Sequence, residues 1–348
     1  MALPRTYARL DQALAKRGGA PSPGLVNEVR ALADRLGFRI GGTPLSEVPN
    51  ASGERTLLAK WESENEFGSV KDRVALALVA DALASGSIDQ HRGFVEYTGG
   101  SLGVSLAAIA SALHVPATLV MSEATAPSIV QACRAAGATV ELVGPNPGFA
   151  DVMVHALDLA ERTGEHFLFQ HANPACREIH ARWTGQELVH DLDGRRCSAL
   201  VAPIGTGGTL VGCTIALRSA GSSTLAVGVT PAELPYGSAE APNALPKLAG
   251  SGGLGHCMRQ PFVVQLDGPA SVESVVSYSE ALAGMARFHA ATGRWIGSSA
   301  AAAWLVASRL SLDSRSKERT LVIFPSAGTP EEQQRAAAHD LADARRGH

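Results

Sequence analysis

The sequence predicts an α/β protein of two doubly wound, parallel-sheet domains with a cleft between them. Three observations carry that expectation. Strand-like and helix-like segments alternate along most of the chain, the rhythm of β-turn-helix-β units. Two of the strand–helix junctions are glycine-rich, at Thr98–Gly103 and Gly205–Thr209. And 348 residues, 45% of them apolar, suffice for about two domains, each with its own core.

Taken in order, Arg5–Arg17 and Leu25–Leu36 place apolar residues at i, i+3 and i+4, the spacing of a helix face, with Pro21 and Pro23 between them. Thr56–Trp61 reads as a short strand and Val70–Ala84, rich in alanine and leucine, as a helix. Phe94–Tyr97 is a strand entering a glycine turn, followed by helix Leu102–Leu113, strand Thr118–Met121, helix Ala126–Ala136 and strand Thr139–Val143. A second run begins at Phe167–Gln170, passes Asn173-Pro174 and continues as a helix to about His190. Strand Ala199–Ala202, helix Leu210–Ser219, strand Leu225–Val229, helix Ser279–Ala290 and strand Thr320–Phe324 complete it. Asp340–His348 reads as a frayed, solvated end.

Composition narrows the function. The 30 basic and 33 acidic residues leave a net charge of −3, which gives no electrostatic case for a nucleic acid or an anionic membrane as partner. Apolar runs such as Ala300–Val306 are too short to span a bilayer, and Arg5, Arg9 and Asp11 break any secretory pattern at the start. A soluble, cytoplasmic protein is expected. Five scattered cysteines, Cys133, Cys176, Cys197, Cys213 and Cys257, form no C-x-x-C, so buried thiols are expected rather than a disulfide framework or a zinc site. His171 and His180 lack metal-ligand spacing with a carboxylate, and no metal is expected. Only five lysines occur: Lys16, Lys60, Lys71, Lys247 and Lys317. Lysine, unlike arginine, loses its proton when desolvated and becomes a nucleophile, so any carbonyl chemistry has few candidates.

Three loops carry that chemistry. Gly205-Thr206-Gly207-Gly208-Thr209 joins a buried strand to a helix, where glycines admit an anion and the helix offers free N–H groups. It lacks the last glycine of a dinucleotide fingerprint and the G-K-[ST] of a triphosphate loop, so a phosphate monoester fits better, with a purely structural turn the alternative. Thr98-Gly99-Gly100-Ser101-Leu102-Gly103 can bind a second anion such as a substrate carboxylate. Gly68-Ser69-Val70-Lys71-Asp72-Arg73 opens a helix with a lysine, a placement that the helix dipole disfavours and stability does not select.

In this order the loops resemble the cysteine synthase and cystathionine β-synthase family, the fold-type II pyridoxal-phosphate enzymes. Further landmarks are Gly41-Gly42-Thr43-Pro44-Leu45, Lys60-Trp61-Glu62, Glu96-Tyr97 ahead of the Thr98 loop, Gln170 with Asn173-Pro174, Gly297-Ser298-Ser299 and Phe324-Pro325. The resemblance implies a tryptophan synthase β-like fold with pyridoxal 5'-phosphate in the cleft. It implies an N-terminal domain over 46–165 carrying the lysine and substrate loop, and a C-terminal domain of 1–45 plus 166–348 carrying the phosphate loop. Lys71 matches the lysine that holds the cofactor as a Schiff base and then serves as base for the Cα proton. Gly205, Thr206, Gly207, Gly208 and Thr209 match the cofactor-phosphate loop. Thr98, Gly99, Gly100 and Ser101 match the clamp for the substrate carboxylate, with Gln170 nearby and Ser101 also beside the cofactor ring. The implied reaction is β-replacement on O-acetylserine or O-phosphoserine with sulfide or another nucleophile, through an aminoacrylate, in a homodimer acting on small amino acids. Two alternatives stay open: β-elimination to keto acid and ammonia, and a catalytically silent member.

The chain departs from the family at several points. Ser101 stands where asparagine is usual, Gly99 where serine is, and Leu102 where threonine is. Ala327 stands where a serine hydroxyl commonly meets the pyridine nitrogen; Thr329 is the expected substitute, ahead of Ser326, because Gly328 lets the loop turn the next side chain inward. Gly250-Ser251-Gly252-Gly253-Leu254-Gly255 resembles the family's glycine-rich wall.

Overall fold

The computed structural model describes residues 5–16, 21–144, 148–238, 248, 259–313 and 319–346. Its strands are β1 (Leu45–Pro49), β2 (Thr56–Trp61), β3 (Phe94–Tyr97), β4 (Ala117–Ser122), β5 (Thr139–Val143), β6 (His166–Phe167), β7 (Cys197–Pro203), β8 (Leu225–Pro231), β9 (Ala270–Val276) and β10 (Arg319–Phe324). The helices are α1 (Arg5–Lys16), α2 (Leu25–Leu36), α3 (Lys71–Ala84), α4 (Ser101–Leu113), α5 (Pro127–Ala135), α6 (Phe149–Thr163) and α7 (Ala175–Ile179). They continue with α8 (Gly185–Leu192), α9 (Gly208–Ser219), α10 (Pro261–Val264), α11 (Tyr278–Thr292), α12 (Ser298–Asp313) and α13 (Pro330–Arg346).

Two sheets result. The larger has the order β1-β2-β10-β7-β8-β9 and the smaller β5-β4-β3-β6. Every pairing is parallel except β1 with β2, a hairpin at the edge of the larger sheet. Fully parallel strands need helices on both faces, and the apolar runs supply the buried surface: β2, β7, β8 and β10 are almost wholly buried. Helix α12, buried along Ala300–Ala307, packs with Trp304 and Phe288 against one face of the larger sheet.

The sheets divide the chain differently from the expected boundary at 46–165. β1 and β2 belong to the larger sheet, because β2 pairs in parallel with β10 through Leu58–Leu321 and Trp61–Phe324. β6, just past 165, pairs with β3 in the smaller sheet. Helix α1 packs on α6 of the smaller sheet rather than joining a C-terminal unit; Leu10 is fully buried there and Arg9 pairs with Asp158 and Glu161. The expected helix to about His190 runs without a gap from Ala175 to Leu192, as α7, a π-helical stretch over His180–Thr184, and α8. The end expected to fray is helical as far as Arg346.

The topology sets the site. β2, β10 and β7 are parallel neighbours, so the turns that leave their C-terminal ends lie side by side. Those turns are the Gly68–Lys71 segment, Pro325–Thr329 and Gly205–Thr209. β3 and β6 likewise bring Thr98–Ser101 beside Gln170.

Candidate active site

Of the five lysines, the structure describes the side chains of two, and they differ sharply. Lys60 is fully buried, and its Nζ donates to the Thr43 carbonyl at 2.7 Å and contacts Glu187 and Asp191, each at 3.0 Å. Its charge is fully engaged. Lys71, the first residue of α3, is half-buried and has no carboxylate partner among the described residues. Burial holds its ammonium below the ordinary lysine value, against a smaller opposing effect of Cys176.

The Lys71 turn is held from several sides. The Val70 N–H donates to the Pro325 carbonyl at 2.8 Å, and Ser69 bridges Ser326, tying the turn to the end of β10. The Lys71 N–H donates to Ser69 Oγ at 3.1 Å. Asp72 is buried and accepts from Phe67 N–H, Ser69 Oγ and Ser105 Oγ. Burial pushes its carboxyl up to about 6 against those bonds. The Arg73 guanidinium is fully buried and forks onto Glu62 (2.8 and 2.9 Å) and Glu187 (2.8 and 2.7 Å), with Trp183 5.2 Å over its plane. Burial works against the charge of Glu187, but Arg73 and Lys60 outweigh it and bring the carboxyl down to about 2.

The glycines of the second turn are required by shape. Gly207 has φ +86°, and a Cβ there would strike Val263. A Cβ on Gly208 would lie 2.8 Å from the Cys176 carbonyl oxygen. Gly208 opens α9, its N–H 3.2 Å from Thr206 Oγ1, while Gln260 Nε2 holds the Gly205 carbonyl at 3.1 Å. Thr209 Oγ1 lies 3.1 Å from Nε2 of His180, a buried imidazole that burial depresses to about 3 and keeps neutral. Small groups, hydroxyls and a helix N-terminus make a cradle for one anion.

In the third turn, Thr98 Oγ1 accepts from the Gly100 and Gly103 N–H groups at 3.2 Å, which shapes the loop opening α4 at Ser101. Gly103 is needed because a Cβ would press 2.7 Å from the Thr98 methyl. Gly99 sits between with open space around it. Gln170 donates to the Tyr97 carbonyl at 3.1 Å, and Glu96 accepts from Phe169 and Gln170 N–H groups to fix that bend, where Phe169 takes φ +57°.

Two histidines given only a packing role by sequence connect these turns. His171 bonds Tyr97 Oη and lies at the Gly205 carbonyl; burial, then the Lys71 charge, push it down to about 3. His180 meets Thr209 across folded distance, and nothing in the sequence signals that contact. Thr329 caps α13: its Oγ1 accepts from Glu332 N–H at 3.2 Å and bonds Glu331. Gly328 has φ +80°, and a Cβ there would lie 3.0 Å from Glu332 Oε2. Glu332 is buried and takes the Ser298 hydroxyl. Cys133, Cys176, Cys197 and Cys213 are buried free thiols. The Gly250–Gly255 loop and Cys257 lie outside the described residues. Among the described residues no group of three or more His, Cys, Asp or Glu is arranged for a metal, and no helix is long and apolar enough to cross a membrane.

A lysine amine without a carboxylate partner among the described residues, and a glycine turn that opens a helix, are features that a phosphorylated aldehyde would need. The family model described as pyridoxal-phosphate dependent enzyme matches residues 36–326. The chain belongs to this family of pyridoxal-phosphate enzymes. Cysteine synthase of Staphylococcus aureus is 33% identical over 204 residues, 58% of this chain and 66% of that protein, so the match spans just under two thirds of its length. Cysteine synthase of Flavobacterium sp. (strain K3-15) is 30% identical over 247 residues, 70% of this chain and 79% of its own. Among solved structures, O-ureido-L-serine synthase aligns with a TM-score of 0.74 at 26% identity, covering 90% of this chain and 94% of that one. The O-acetylserine-dependent cystathionine β-synthase of Helicobacter pylori shares the fold, with a TM-score of 0.71 at 24% identity over 88% of this chain and 96% of its own. Pyridoxal 5'-phosphate is the cofactor of this pyridoxal-phosphate family, and the donor set of the three turns suits it.

Proposed function

We propose that this chain catalyses β-replacement on an activated serine, O-acetylserine or O-phosphoserine, with sulfide or another small nucleophile. The observation that carries the reading is the state of Lys71: an amine without a carboxylate partner, desolvated, beside a cradle for one phosphate. The relatives named cysteine synthase and the neighbour named O-ureido-L-serine synthase support a serine derivative as substrate. The reading includes a homodimer working in the cytoplasm.

Pyridoxal phosphate, when bound, supplies the electron sink that makes a Cα proton of an amino acid acidic. Everything else falls to the chain. Lys71 Nζ would hold the cofactor, and its amine would accept the Cα proton; burial favours its unprotonated form. Gly205–Thr209 hold the phosphate with backbone N–H groups and the Thr206 and Thr209 hydroxyls. Thr98–Ser101 hold the substrate carboxylate, and Gln170, which gives one amide hydrogen to the Tyr97 carbonyl, keeps its second N–H to donate. The neutral imidazoles of His171 and His180 add no competing positive charge near the amine. Thr329 reaches a ring nitrogen only by giving up its bond to Glu331. The substituent leaves Cβ, and the nucleophile adds to the same carbon.

Product analysis with O-acetylserine tests the reading. Cysteine and acetate are expected with sulfide present. Keto acid and ammonia as the only products, with and without sulfide, would replace it by β-elimination.

A further inference from the structure

Asp72 directly follows Lys71, and the reaction described above gives it no task. The residue is fully buried, and its carboxylate collects three donors from two segments. Oδ2 accepts from the Phe67 N–H at 2.7 Å, in the loop ahead of the lysine. Oδ1 accepts from Ser69 Oγ at 3.2 Å, and that hydroxyl also receives the Lys71 N–H. Oδ1 takes a third bond from Ser105 Oγ at 2.6 Å, across to α4. The Ser105 hydroxyl lies 3.1 Å from the Ser101 carbonyl, at the end of the candidate carboxylate loop. A continuous path of hydrogen bonds therefore runs from the lysine turn through one carboxylate to the first turn of α4.

We propose that Asp72 is a positioning residue that locks the Lys71 turn to the loop Thr98–Ser101, setting the amine against the substrate carboxylate site. Away from water, a carboxylate with three donors holds its partners more firmly than neutral hydrogen bonds would. α3 and α4 pack side by side, and Ala75, Leu78, Leu106 and Ala110 are buried in the apolar core they share. The Ser69 and Phe67 bonds alone would serve the lysine turn; the Ser105 bond serves only the connection.

This inference rests on the function proposed above, and its test separates the two. Holoprotein carrying Ser105→Ala, Asp72→Asn or both is assayed with O-acetylserine and sulfide, and amide hydrogen exchange is followed over residues 98–105. Each single change is expected to raise KM for O-acetylserine about tenfold with kcat changed less, the scale of one net hydrogen bond. The two changes are expected to combine less than multiplicatively, because both act on the same bond, the amide by weakening its acceptor and the alanine by removing its donor. Exchange at 98–105 is expected to quicken in all three. Multiplying effects in the double variant, or a lower Tm with KM and exchange unmoved, would overturn the proposal. Should Asp72→Asn fail to fold, Ser105→Ala still decides through its KM and exchange. A wild-type protein inert toward O-acetylserine would count against the function alone, and the exchange result would still judge the tie.

Discussion

Lys60 and Lys71 carry the same ammonium into two environments, and the contrast is decided by neighbours rather than by depth. Lys60 is wholly buried yet has three oxygens around it, whereas Lys71 keeps some exposure and has no carboxylate among the described residues to balance it. The scarcity of lysine and the awkward start of α3 were legible in the sequence, but the ion network that separates the two was not. Its members, Thr43, Glu62, Arg73, Glu187 and Asp191, meet only after β2, α3 and α8 have packed. Glu62, beside the lysine segment, reads as either a solvated or a structural acid, and it is fully buried. Burial alone would raise its carboxyl, and the charge and hydrogen bonds of Arg73 reverse that. Replacing Arg73 by methionine removes the counter-charge and leaves Glu62 and Glu187 facing each other. A loss of about 3–5 kcal/mol is expected in urea unfolding, the usual consequence of breaking one side of a buried pair. A loss below about 1 kcal/mol would show that the network behaves as a solvated one.

At the scale of elements, the β-turn-helix units were readable because their strands are continuous apolar runs and their turns carry glycine. The phosphate cradle shows why the same glycines were ambiguous. Gly207 is demanded by its left-handed backbone and by Val263, a residue of α10 that no local pattern places there. Gly207→Ala is expected to strain the turn by about 1–3 kcal/mol and to weaken pyridoxal phosphate binding about tenfold or more, measured by titrating apoprotein with the cofactor. Unchanged affinity would mean that the turn does not hold the phosphate. The π turn at His180–Thr184 was likewise hidden: it turns His180 toward Thr209, and its sequence continues an ordinary helical pattern.

The whole molecule was legible as two α/β layers but not in how the chain shares them. Strand patterns carry no record of partners, so β2 looked like the first strand of an N-terminal domain until its pairing with β10 placed it in the other sheet. That swap matters for function, because it sets the Lys71 turn beside the ends of β10 and β7. The two halves also meet across the cleft: Glu331 at the start of α13 accepts from the Ser128 N–H at 3.1 Å and its Oγ at 2.8 Å, at the start of α5. The account turns on the Lys71 amine, and the most direct measurement asks whether that amine carries the cofactor. Holoprotein reduced with borohydride and digested is expected to yield a single cofactor-labelled peptide, containing Lys71. Label on Lys60 or any other lysine, or no label at all, would contradict the account.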